Sequence, residues 1–257
     1  MVTVAPELAS ATLVLARVAG LFAAVPVLGD GAAPRRVRLG LVVVTTALLT
    51  PLGAGAAPAP VALEALAFAA ALELAFGLVV AMTARFALAA AEIAGQLMSL
   101  GVGLHFAAQY DTQRGADDDA VVGLSRAIAG LAFLGAGGLD ALIYAAAAPA
   151  LPSGNAAQPA DTLQHAALAA LDLGTSAVSY GLGLAAPIVL AGLVGNLALA
   201  IAHRAVPAAS LFAVGFSAVL LLGGAAAMSS ADALVTGLGE LAERAVAAFG
   251  VPFAEAP

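Results

Sequence analysis

The chain of 257 residues has no cysteine and no tryptophan, and all nine of its basic residues are arginine. Without cysteine there is no disulfide framework, no thiolate nucleophile and no Cys-ligated metal or cluster. Charged residues make up 10% of the chain and sum to −7, so a basic surface for nucleic acid is excluded. His105, His165 and His203 stand apart, and no pair of them has metal-ligand spacing. No phosphate-cradling glycine loop follows a strand. Gly101-Val102-Gly103 and Gly181-Leu182-Gly183 fall in apolar helical stretches, where glycine serves packing or kinks. With no nucleophile, base or metal set to assemble, neither an enzyme nor a bound cofactor is expected. Residues 1–7 carry no Arg or Lys and Arg17 interrupts the apolar stretch that follows, so the first helix is expected to stay rather than be cleaved as a signal peptide.

What the chain has is apolar length. Hydrophobic residues make up 63% of it and the mean hydropathy is +1.05, outside the range of soluble globular domains. Thirty consecutive residues, 173–202, contain no Asp, Glu, Lys, Arg or His; after the pair His203-Arg204 a second uncharged run covers 205–231. A helix needs about 20 apolar residues to cross the hydrocarbon core, so the two runs predict a membrane hairpin that turns at the charged pair. His203-Arg204 reads as an interfacial pair rather than a proton relay.

Apolar segments fall near 8–28, 39–57, 61–84, 86–108, 121–148, 173–202 and 208–229. They predict an all-α integral membrane protein of kinked helical hairpins. The stretches 29–38, 109–119 and 149–161 read as connections. The organisation expected is an N-terminal helical region 1–148 with a central loop at about 106–119, a connection 149–172, and a C-terminal part 173–257 made of a hairpin and an amphipathic tail. In the tail Leu234, Leu238, Leu241, Ala245 and Phe249 share one helical face, and Asp232, Thr236, Glu240 and Glu243 share the other. Arg35, Arg36 and Arg38 would hold the first connection on the cytoplasmic side, and His203-Arg204 the hairpin turn. Seven simple spans put these on opposite faces. At least one segment is therefore expected to be kinked, re-entrant or packed inside an assembly, and 61–108 is the candidate because Glu64, Glu73, Arg85 and Glu92 interrupt it.

Ala91, Gly95, Ser99 and Gly103 recur every four residues, a face with little side-chain bulk that another helix can approach closely. Glu92, Gln96 and Ser99 form a polar stripe beside it, readable either as the lining of a water-filled path or as interhelical hydrogen bonding. Two general readings of function remain open at this level: a small secondary transporter with Glu73, Arg85 and Glu92 along its path, or a packing subunit of a larger assembly.

Local motifs narrow the choice. Early in the chain come Pro26, Gly29, Pro34 and Arg38, within Ala24-Val25-Pro26-Val27-Leu28-Gly29 and Pro34-Arg35-Arg36-Val37-Arg38. The middle holds Glu92-Ile93-Ala94-Gly95-Gln96, Gly101-Val102-Gly103-Leu104-His105-Phe106 and Tyr110-Asp111-Thr112-Gln113-Arg114-Gly115. Late come Ala186-Pro187, Asn196-Leu197, Arg204-Ala205-Val206-Pro207 and Leu211-Phe212-Ala213-Val214-Gly215-Phe216. In this order they resemble the FliR family of flagellar export-gate proteins, whose injectisome counterparts are the SctT proteins. The chain departs from the family pattern at Ala208 and Ser210, where Gln and Asn are usual, and at Thr112, where Pro is usual.

The resemblance implies a structural subunit of the flagellar type III export gate, or of its injectisome equivalent, in the bacterial inner membrane at the flagellar basal body. It implies FliP and FliQ as partners, FlhB and FlhA as further neighbours, and unfolded export substrates passing through the pore. By the same resemblance Phe106, Tyr110, Asp111, Arg114 and Gly115 belong to a plug that closes the pore, and the C-terminal hairpin imitates FliQ.

Overall fold

In the computed structural model the described residues are 3–25, 34–52, 61–104, 120–147, 157–205 and 211–248. Helix α1 covers Pro6–Ala24, α2 Arg35–Leu49, α3 Leu63–Val102, α4 Ala120–Gly135, α5 Gly138–Ala147, α6 Ala157–Ala205 and α7 Leu211–Ala248; a 3-10 turn, Thr50–Leu52, follows α2. Two short strands, β1 (Thr3–Val4) and β2 (Val61–Ala62), pair antiparallel with Thr3 opposite Ala62 and Val4 opposite Val61. Nearly all the other described residues are helical, so the chain is an all-α protein with helices fit for a membrane. Pro6–Ala24, Leu63–Val102, Leu163–Arg204 and Ser217–Ala247 are each long and apolar enough to cross a bilayer.

Helix ends follow local chemistry. Pro6 opens α1, where its missing N–H is no loss, and Glu7 places a carboxylate in the first turn at the positive end of the dipole. The extended Pro34 precedes α2, and its carbonyl accepts from the N–H of Val37 at 2.9 Å and of Arg38 at 3.2 Å. Helix α3 stops at Gly103, whose φ of 82° only glycine adopts cheaply and whose N–H reaches the Leu100 carbonyl at 3.2 Å. Gly137, with φ 80°, likewise separates α4 from α5. Hydroxyls within the helices turn back on the preceding turn, as in Thr46 to the Val42 carbonyl at 2.7 Å and Thr83 to Val79 at 2.9 Å. That removes unpaired donors from apolar surfaces.

Three helices are longer than expected. The apolar segments 61–84 and 86–108 form one helix of 40 residues that runs through the exposed Arg85 without a break. A single charged side chain leaves the backbone ladder intact, whereas the positive-φ glycine at 103 ends it. Helix α6, of 49 residues, begins at Ala157, inside the stretch read as a connection, and continues through Pro187. Helix α7, of 38 residues, merges the hairpin's second arm with the amphipathic tail. At 1.5 Å per residue α3 is about 60 Å long and α6 about 74 Å, about two and two and a half times the hydrocarbon thickness. Conversely, the apolar segment 121–148 is two helices, because Gly137 breaks it.

The chain divides into two compact units that are not consecutive stretches. One comprises Met1–Phe86, Phe133–Gly174 and Ala242–Pro257; the other comprises Ala87–Ala132 and Thr175–Leu241. In the first unit Ala9, Leu13 and Leu66 form a core cluster flanked by Val4, Ala69 and Ala70. In the second, Ala94, Met98, Val102, Ala185 and Ile188 form one cluster and Leu88, Ala91, Ala129 and Leu238 another.

Candidate functional site: glycine crossings and ion pairs between helices

In the first unit α1 and α3 cross at a pair of glycines. A Cβ added at Gly20 would run into the Leu74 carbonyl and lie 3.0 Å from the Leu78 nitrogen; one added at Gly77 would run into the Arg17 carbonyl and lie 3.0 Å from the Leu21 nitrogen. Each helix rests on the backbone of the other, an approach that only glycine permits. Three residues before Gly20 stands Arg17, and four before Gly77 stands Glu73, so charge and glycine share a face on both helices. Arg17 Nε donates to Glu73 Oε2 at 2.7 Å, and the side chains are only 3% and 2% exposed. The guanidinium carbon also sits 5.4 Å from the centre of the Phe76 ring, and Nη1 donates to the Ala145 carbonyl of α5 at 3.5 Å. A buried pair of this kind is strongly destabilising to break, by about 3–5 kcal/mol when one partner is removed.

The second unit is joined in the same manner with a weaker charge pair. A Cβ on Gly95 would lie 2.8 Å from the Val122 Cα and 3.1 Å from Ser125 Oγ, so α3 and α4 touch here. Arg126 Nε donates to Glu92 Oε1 at 2.9 Å, one turn along the same contact, but the side chains are 49% and 32% exposed. Gly101 and Gly192 bring α3 against α6: a Cβ on Gly192 would run into the Gly101 carbonyl, and one on Gly101 would lie 3.0 Å from the Val189 Cα. A Cβ on Gly181 would lie 2.9 Å from the Ala90 carbonyl oxygen, and one on Gly195 would lie 3.0 Å from the Val219 side chain of α7. Tyr180 donates to Glu240 Oε2 at 3.4 Å beside an open groove of about 630 Å³ lined by Ser179, Asp232 and Thr236 among others.

The residues singled out from the sequence fall in three groups. Ala91 and Ser99 are fully buried and Gly95 abuts α4, while Gly103, at the end of the same four-residue series, is the positive-φ terminator of α3. Glu92, Gln96 and Ser99 do not share one environment: Glu92 is half-buried and paired, Gln96 is exposed and Ser99 is buried. Pro34, Arg204, Pro187 and Asn196 are exposed, Arg38 is half-buried and Gly215 is buried. His203 and Arg204 occupy the last turn of α6, where cations favour the negative end of the dipole. Outside the described residues lie Pro26, Gly29, Phe106, Tyr110, Asp111, Thr112, Arg114, Gly115, Pro207, Ala208, Ser210 and Phe249, and the Phe212 side chain.

The Arg17–Glu73 pair and the Gly20–Gly77 crossing were not singled out from the sequence. The signal available was the matched spacing, an ionisable residue followed one turn later by glycine in each of two apolar helices.

Among the described residues, Arg17–Glu73 and Arg126–Glu92 pair charges at contacts between helices, and no group of three or more His, Cys, Asp and Glu could hold a metal ion. Beyond those contacts the helices present apolar surface: Leu190, Leu193, Val194, Leu197 and Ile201 on α6, and Leu221 and Met228 on α7, are all more than half exposed. These features define a class, an integral membrane protein whose helices are built for packing. Residues 8–245 match the family model described as bacterial export proteins, family 1, and the chain belongs to that family. It is 31% identical to the flagellar biosynthetic protein FliR of Escherichia coli K12 over 211 residues, which is 81% of this chain and 79% of the relative. The FliR proteins of Pectobacterium carotovorum and Caulobacter vibrioides are also each 31% identical, over 80% and 83% of this chain and 78% and 84% of their own lengths. The resemblance carried by the short motifs is therefore borne out along most of the chain.

Proposed function

We propose that the chain is a structural subunit of the flagellar type III protein export gate, contributing helices to the channel through which unfolded substrates leave the cytoplasm. The observation that carries this reading is the family match across 8–245 together with three relatives named as FliR. The geometry supports it. Only 11% of the apolar window in Ser217–Ala247 and 22% of that in Leu163–Arg204 is buried within the chain, and these helices are longer than a bilayer is thick. Such surface must be covered by lipid or by other helices, and a gate subunit among similar helical neighbours covers it with protein.

The partners under this reading are FliP and FliQ, with FlhB and FlhA adjacent, in the bacterial inner membrane at the flagellar basal body. The role is structural rather than enzymatic. The named relatives favour the flagellum over the injectisome, and the family favours export over a small secondary transporter. Ala91, Gly95 and Ser99 serve helix packing, and the segment 106–115, with Phe106, Tyr110, Asp111, Arg114 and Gly115, serves as the plug.

Co-expression with FliP and FliQ, solubilisation in mild detergent and purification through a tag on this chain test the assignment. A stable ternary complex is expected; a chain that purifies alone, with FliP and FliQ assembled without it, would contradict the reading. Deletion of 109–115 in the assembled complex should raise leakage of small solutes across the membrane. An intact complex with unchanged leakage would refute the plug.

A further inference from the structure

We propose that the Arg17–Glu73 pair is an insertion latch, which lets α1 settle across the bilayer only in company with α3. Of the four single-helix candidate spans among the described residues, Pro6–Ala24 is the shortest, at 19 residues, and the least apolar, with a mean hydropathy of 1.5 against 2.2, 2.2 and 1.7 for the others. Arg17 stands seven residues before its end, about 10 Å along the axis, and its side chain is turned into the helix contact rather than toward an interface. An Arg at the centre of a lone helix shifts the insertion equilibrium by a factor of about a hundred against the membrane. Glu73, of opposite charge and in the middle of an apolar stretch of α3, carries a comparable penalty of its own.

Placed together, the charges answer one another. Nε meets Oε2 at 2.7 Å, the Phe76 ring covers the guanidinium, and the Ala145 carbonyl of α5 accepts from Nη1. The glycine crossing at Gly20 and Gly77 holds the two backbones close enough for this contact. The latch thus makes α1 dependent on residues that lie far later in the chain: 56 positions separate Arg17 from Glu73 and 128 separate it from Ala145. Helix α1 becomes a stable span only after α3 and α5 are present, so a truncated or incompletely inserted chain does not present a finished first unit. This inference rests on the geometry of the pair and does not depend on the export assignment.

The natural absence of cysteine makes a direct test possible. Leu15 of α1 is 42% exposed, away from the latch, so Leu15→Cys reports whether α1 lies in hydrocarbon, where a water-soluble maleimide does not label it. The full chain is synthesised in a cell-free system with lipid nanodiscs, which excludes cellular proteolysis. Glu73→Gln should raise labelling at least tenfold over the Leu15→Cys background. The pairs Arg17→Leu with Glu73→Leu, and Arg17→Glu with Glu73→Arg, should restore protection. Continued protection of the Glu73→Gln chain would overturn the proposal. Labelling of the double-leucine chain as strong as that of Glu73→Gln would overturn it too, because that chain has no charge left to compensate.

Discussion

Helices α1 and α7 have similar apolar character but opposite placements. Their span windows have mean hydropathies of 1.5 and 1.7, yet 44% of the first window is buried within the chain and only 11% of the second. Helix α1 carries Arg17 into a contact where α3 supplies a carboxylate, an aromatic face and a glycine. Helix α7 leaves Leu221 at 75% and Met228 at 83% exposure. Hydropathy alone reports that a helix leaves water; side-chain placement reports whether it leaves water for its own chain or for something else. In the first unit the answer is its own chain, and for α7 the surface is left for lipid or neighbours.

Substitutions that exchange these two conditions sharpen the comparison. The largest effect is expected at Gly77→Leu, because its side chain would have to displace the Arg17 backbone. Overpacking costs about 1–3 kcal/mol and more where backbone is in the way, so little folded protein should be recovered in a detergent thermal-stability assay. Leu13→Ala in the core cluster of the first unit should cost about 2–5 kcal/mol in the same assay, as other large-to-small core changes do. Gly95→Leu, against Val122 and Ser125, is expected to cost about 1–3 kcal/mol and to reduce recovery of the complex with FliP and FliQ. Gly137→Ala forces a side chain into the left-handed region and should cost about 1–2 kcal/mol. The smallest effect belongs to Leu221→Ser, which should leave the isolated chain within about 0.5 kcal/mol of its stability while lowering recovery of the ternary complex. If Leu221→Ser destabilised the isolated chain as much as Leu13→Ala, the contrast between the two helices would collapse.

Much of this arrangement was legible in the sequence, and the parts that were not have physical reasons. Uncharged runs located the long helices because a bilayer demands a minimum apolar length. The tail's two faces were legible from 3.6-residue periodicity: Leu238, Leu241 and Ala245 are buried, whereas Asp232, Thr236, Glu240 and Glu243 are exposed. The continuity of α3 was not legible, because Arg85 looked like an interruption and a solvated or paired arginine does not break a helix. The start of α6 was placed too late for a similar reason. Pro, Gly, Asn and Ser mark the end of a loop no more sharply than its beginning, and Gln158, Asp161 and Gln164 read as polar loop although they occupy helical turns.

The pairing of Arg17 with Glu73 was hidden by distance along the chain. Each residue by itself read as an interruption of an apolar span, and their relation exists only once α1 has docked on α3. Gly95 was visible from its four-residue spacing, but the same spacing also pointed to Gly103, where glycine is present for its backbone conformation rather than its small size.

The central claim is that the apolar face left open on α7 is covered by other subunits of an export gate. A photo-crosslinking amino acid at position 221, introduced into the chain co-expressed with FliP and FliQ in native membranes, addresses it directly. The account predicts a covalent adduct with one of those two proteins that disappears when both are omitted. Crosslinks to lipid alone, with FliP and FliQ present and assembled, would contradict it.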